Sequence, residues 1–172
     1  MIRVIGGGIN QRAITPQIEF LLNMNAALTI VKDAGDSVLK PAYHFNRKGL
    51  GGDLKGGGVK VMKKSNDIDF VTETDKAVQD FIFARLAQHF PNDRLLGEEG
   101  DFKPNNSNVV KKQKQVSLAC TWVLDPIDGT SNFIHGFPRF CISLAYFDSS
   151  SKVTIGIVYN PITEEVHEYL KY

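Results

Sequence analysis

Apolar residues change their spacing along the chain, and each change marks a different kind of element. After Pro16, residues Ile18, Leu21, Leu22, Asn25, Ala26, Leu28, Thr29 and Val31 fall near one stripe of a 3.6-residue period. This spacing predicts a helix over 16–40, ended by Pro41. Residues 41–62 hold six glycines and little periodicity, which reads as a long loop. A second helix is expected from Thr74, with Thr72 or Thr74 as its cap and Asp75 in its first turn. Ala77, Val78, Phe81, Ile82, Leu86 and Phe90 make its buried stripe, and Pro91 ends it.

Beyond that point strand-like runs take over. A short strand over 94–96 leads into Gly97-Glu98-Glu99-Gly100, and a Lys-rich polar stretch over 101–116 reads as surface loop. A buried strand over 121–124 delivers Asp125 at its end. Runs over 139–147, 152–159 and 165–172 are separated by turn signals at 148–151 and 160–161. Two helices before an antiparallel meander define an α+β class, a layered sheet with helices on one side. The last alternation is still running at Tyr172, an open aromatic edge that leads us to expect more chain beyond it.

Composition narrows the function classes. A chain of 172 residues with 42% hydrophobic and 23% charged residues makes one soluble globular domain. Twenty Lys plus Arg against nineteen Asp plus Glu leave a net charge of +1, which removes the counterion-release case for a nucleic-acid partner. The most apolar stretch, over 20–31, is too short to cross a membrane and contains Asn23 and Asn25. Cys120 and Cys141 cannot staple a domain of this size, and both read as reduced core cysteines in a cytoplasmic setting. Residues 1–15 read as a flexible extension. Arg3 and Arg12 without an acid leave a mitochondrial presequence as the lesser alternative, and the glycines at 6–8 interrupt any secretory signal. A dinucleotide fingerprint fails at Gln11, and no glycine near Gly56 is directly followed by the Lys-Ser/Thr pair of a P-loop.

The acidic residues carry more. Asp125-Pro126-Ile127-Asp128-Gly129-Thr130 puts one carboxylate at a strand end and a second three positions on, across what reads as a tight turn. Both can converge with the Ile127 carbonyl on one point, and such oxygen sets suit a hard divalent cation, of which Mg²⁺ demands near-octahedral placement and keeps some waters. Gly129 admits close backbone approach, and the amides of Gly129 and Thr130 at a helix start can receive an anion. A bland alternative makes Asp125 and Asp128 turn formers and caps. The Gly-Thr that follows, and the Glu98-Glu99 pair at another strand end, favour the metal reading.

Gly97-Glu98-Glu99 with Asp125-Pro126-Ile127-Asp128-Gly129-Thr130-Ser131-Asn132-Phe133 resembles the paired signature of the inositol monophosphatase family. Asp69-Phe70-Val71-Thr72-Glu73-Thr74-Asp75 is similar to a third family segment, and the likeness spans 16–172. The resemblance implies the amino-terminal half of a layered αβαβα fold and a lithium-sensitive, Mg²⁺-dependent hydrolysis of a small phosphomonoester such as inositol monophosphate. By position it implies that Glu98, Asp125 and the Ile127 carbonyl bind a first metal, and that Asp125 and Asp128 bind a second. Thr130 and Asp75 would orient and deprotonate the attacking water. Glu99 and Lys64 would lie one shell behind, and Gly129, Thr130 and Ser131 would hold the phosphate. Complete family members are implied to be homodimers.

Departures qualify this. Ser131 replaces a usual threonine, residues 41–62 carry an insertion, and the Trp-Asp motif that completes the second metal site is absent, since Val123 follows Trp122. Little activity is therefore expected of the 172-residue chain itself. The competing readings are a non-catalytic truncated product or interaction partner, and a nucleotide or sugar bisphosphate phosphatase.

Overall fold

Helices and strands segregate into two layers in the computed structural model, which describes residues 16–50, 67–98, 100–101 and 120–171. Helix α1 (Pro16–Ala34) starts at a proline whose missing N–H has no helical partner to lose. Its buried side is Met24, Ala27, Ile30, Val31 and Ala34, whereas Ile18, Leu21 and Leu22 of the expected stripe are exposed. The helix is apolar on two faces, and the face bearing small Ala27 and Ala34 allows the closer approach.

The helical path does not end before Pro41. A π turn (Gly35–Leu39) follows, in which the Lys40 N–H donates to the Gly35 carbonyl, and α2 (Lys40–Leu50) carries on. That wide turn interrupts the i→i−4 ladder just ahead of Pro41, where the missing N–H and the ring would otherwise break it. The expected loop is thus helical in its first part, and residues 51–66 lie outside the described residues. Helix α3 (Asp67–His89) begins about two turns before Thr74. Asp75 is therefore an interior helical residue and not part of a first turn. Thr74 and Asp75 are buried by tertiary packing, with Val78, Ile82, Phe83 and Leu86 further along the same helix.

Six strands form one sheet: β1 (Arg94–Gly97), β2 (Gly100–Asp101), β3 (Thr121–Asp128), β4 (Cys141–Phe147), β5 (Val153–Asn160) and β6 (Glu165–Leu170). Their order is β2-β1-β3-β4-β5-β6. The expected meander is present from β3 to β6, and β1 joins it by a parallel pairing with β3 while every other pair is antiparallel. Asp101, expected in a loop, pairs with Leu96. Trp122, Leu124, Ile142, Leu144, Ile155, Ile157 and Tyr159 alternate onto the buried side and share one core with the helices. The class is α+β and layered, as expected.

Candidate functional site

Strand β3 does not stop at Leu124. It runs through Pro126 to Asp128, pairing Asp125 with Ser143 and Asp128 with Cys141 across a register shift. Three steps along β3 match two along β4, so one extra residue is accommodated as a bulge. In a regular strand, residues three apart point to opposite faces. The bulge returns Asp125 and Asp128 to the same face, beside Ser143 and Cys141. Pro126, which cannot donate to a ladder, sits within the interruption. The turn read from the sequence is therefore a bulged strand, with the same convergence by a different geometry.

The parallel pairing brings the third carboxylate. Gly97 lies opposite Leu124, and the Glu98 N–H donates to the Leu124 carbonyl at 3.3 Å. Glu98 thus leaves β1 where Asp125 leaves the regular part of β3. Asp125 has its pKa raised to about 6, through burial first, then the negative charges of Glu98 and Asp128. The Ile127 N–H, donating to Asp125 Oδ1 at 3.2 Å, opposes the shift. Among the described residues no group of three or more His, Cys, Asp or Glu side chains is placed so that it could hold a metal ion as it stands. What does converge is Asp125 between two further carboxylates, an all-oxygen set whose mutual repulsion a hard divalent cation would relieve. The donor chemistry fits such a cation.

Beside the bulge, Gly129 takes φ +92°, and a β-carbon there would lie 2.8 Å from the Arg139 carbonyl oxygen. Only glycine meets both conditions without strain. It starts the short α4 (Thr130–Ile134), where Thr130 Oγ1 donates to the Ile127 carbonyl at 3.0 Å. Two residues of α2 grip the other end of α4: Asn46 Nδ2 donates to the carbonyls of Phe133 and Ile134 at 2.9 and 3.1 Å, and the Tyr43 hydroxyl to the Gly136 carbonyl at 2.8 Å. Sequence reading missed both, because they come from a segment read as loop. A cleft of about 380 Å³ opens from Asp128 and Gly129 and is lined also by Asn132, Arg139 and His167.

The structure thus brings Asp125 near Glu98 and near Asp128, and Ile127, Gly129 and Thr130 flank Asp128 in the chain. Ser131 is exposed on α4, and Asp75 is buried on α3, which packs against β1, β3 and α4. Glu99 and Lys64 lie outside the described residues. Cys141 is no core cysteine: it is half-buried on the site's face, and its thiol donates to Asp128 Oδ2 at 3.9 Å. Burial, then the charges of Asp128 and Asp125, pushes that thiol up to about 11, so it stays protonated. Cys120 is likewise free and half-buried.

Residues 23–171 match the model of the inositol monophosphatase family. The chain belongs to the inositol monophosphatase family. Inositol monophosphatase 3 of Solanum lycopersicum is 36% identical over 146 residues, which are 83% of this chain and 45% of that protein. A Thermotoga maritima protein described as fructose-1,6-bisphosphatase/inositol-1-monophosphatase is 37% identical over 105 residues, 61% of this chain and 36% of its own. Among solved structures, inositol monophosphatase II of Staphylococcus aureus superposes with a TM-score of 0.62 at 27% identity, covering 87% of this chain and 45% of that one. The chain spans under half the length of these inositol monophosphatase relatives, which fits the amino-terminal half of the family's fold. Among the described residues no helix is long and apolar enough to cross a membrane.

Proposed function

We propose that this span forms the cation- and phosphate-binding half of a Mg²⁺-dependent phosphomonoesterase acting on inositol monophosphate. The observation that carries the reading is Asp125 held between Glu98 and Asp128 beside Gly129-Thr130, with its pKa raised to about 6. Glu98, Asp125, Asp128 and the Ile127 carbonyl would hold the cation, since that carbonyl keeps a second lone pair after accepting from Thr130. Bound there, Mg²⁺ supplies charge neutralisation for the phosphate and a lowered pKa for water. The Thr130 hydroxyl has committed its proton to Ile127, so its oxygen is left to accept a hydrogen bond from the attacking water. Asp75, buried on α3, would accept the water's other proton directly, leaving hydroxide to attack phosphorus. Backbone N–H groups of Gly129, Thr130 and Ser131 would receive the phosphate, and Glu99 and Lys64 would support the set from behind.

Two further elements belong to the same proposal: a cytoplasmic location, and a homodimer for the complete domain. A bisphosphate substrate is the second reading, favoured by the dual description of the Thermotoga maritima relative. The test is phosphate release from inositol monophosphate, fructose 1,6-bisphosphate and a nucleotide bisphosphate, with Mg²⁺ or EDTA. It is run on this chain and on a polypeptide carrying the complete family domain. The complete domain should be Mg²⁺-dependent, prefer inositol monophosphate and lose about 100-fold or more of its rate on Asp125→Asn. The 172-residue chain should be far slower. Near-normal turnover by Asp125→Asn would refute the assignment.

A further inference from the structure

Helix α3 carries a polar side chain that the site does not explain. Gln79 lies one turn after Asp75 and is 6% exposed, and its amide oxygen finds no hydrogen-bond partner among the described residues. Buried orphan acceptors are rare in native folds, and water or an ion usually accounts for them. The amide occupies a particular place. A β-carbon built on Gly97 would collide with the Gln79 amide oxygen and lie 2.6 Å from its Cδ. Gly97 is therefore a notch that admits this amide, and the next residue in the chain is Glu98.

We infer that Gln79 is a positioning residue for Glu98: seated in the Gly97 notch, its amide oxygen accepts a hydrogen bond from one trapped water and steadies the strand end that presents the carboxylate. Asp75 lies one turn back on the same helix, and its carboxylate would be the water's second polar partner. A residue that merely filled space would be apolar here, because an amide without its water weakens the core. The inference rests on the metal reading only for its second readout.

The experiment uses the full 172-residue chain and three variants. Gln79→Leu keeps the bulk and removes the acceptor, Gln79→Glu keeps an acceptor oxygen at the same reach, and Gly97→Ala pushes the amide out of its notch. Amide hydrogen exchange at Gly97 and Glu98 is measured without cation, Mn²⁺ binding by electron paramagnetic resonance, and thermal melting in EDTA. Gln79→Leu and Gly97→Ala should speed exchange at Glu98 about fivefold and weaken Mn²⁺ binding about tenfold. Gln79→Leu should melt no lower than the unaltered chain, and Gln79→Glu should restore both readouts to within about twofold. Unchanged exchange at Glu98 in Gln79→Leu and Gly97→Ala, or a loss in Gln79→Glu as large as in Gln79→Leu, overturns the inference. An unaltered chain that binds no Mn²⁺ sinks the metal reading instead, and the exchange rates then decide the role of Gln79 alone.

Discussion

At the start of the parallel β1–β3 pair, Asp93 accepts a hydrogen bond from the Trp122 indole N–H at 3.0 Å. At the far end of the same pair, Asp125 stands between Glu98 and Asp128. Both carboxylates have raised pKa values, and burial is the largest cause in each. The next causes differ in sign. The indole N–H pulls Asp93 back down, whereas two neighbouring carboxylates push Asp125 further up. Burial alone therefore does not separate Asp93 from Asp125, the proposed cation ligand. The neighbour does: a donor already in place at one end, and repulsion that calls for a cation at the other.

The largest expected effect breaks the comparison directly. Asp125→Asn should weaken Mn²⁺ binding by about 100-fold or more, while Asp93→Ala leaves it unchanged, as read by electron paramagnetic titration. Gly129→Ala attacks the same end through the backbone. Its methyl group meets the Arg139 carbonyl at 2.8 Å and the Phe140 Cα at 3.3 Å, in addition to the φ penalty. A loss of about 3 kcal/mol is expected in urea unfolding. Next comes stability at the two ends without cation. Asp93→Ala leaves the fully buried Trp122 indole N–H unpaired and should cost about 2 kcal/mol, whereas Asp125→Asn should raise stability at neutral pH.

The smallest effect sharpens the sign. A carboxyl whose folded pKa is raised from 3.8 to about 6 holds its proton more tightly when folded. Between those values the folded state binds more protons, so cation-free stability should fall as pH rises from about 4 to about 6. Asp125 is partly exposed, and solvent screening limits the change to about 1 kcal/mol. The Asn variant should lack this slope, and urea midpoints across the range will show it. Mn²⁺ affinity should run the other way, falling about tenfold per unit as pH drops below about 6, because the ligand must be ionised.

How much of this was legible in sequence depends on the range of the forces involved. Asp125, Asp128 and Gly129 could be read because they are neighbours in the chain and their residue types are scarce in combination. Glu98 came with them by resemblance. The bulge was not legible: Pro126 signals a turn locally, and only pairing with β4 shows an extra residue in a strand. Thr72, Thr74 and Asp75 carry a capping signature, yet α3 had already begun at Asp67. Asn46 and Tyr43 act across roughly ninety residues on α4, and no local pattern announces such a grip. The α1 stripe held only at Val31, because the helix is apolar on two faces and packing chose the face with Met24, Ala27, Ile30 and Ala34.

The parallel pairing of β1 with β3 has one more effect. The separation between the stems of Glu98 and Asp125 is set by the gap between adjacent hydrogen-bonded strands, about 4.8 Å, and owes nothing to how the chain travels from one to the other. Inserting or deleting a few residues in the stretch over 102–119 should therefore be far gentler on the carboxylates than sliding β1 by a single position, which would carry Glu98 to the opposite surface of the sheet.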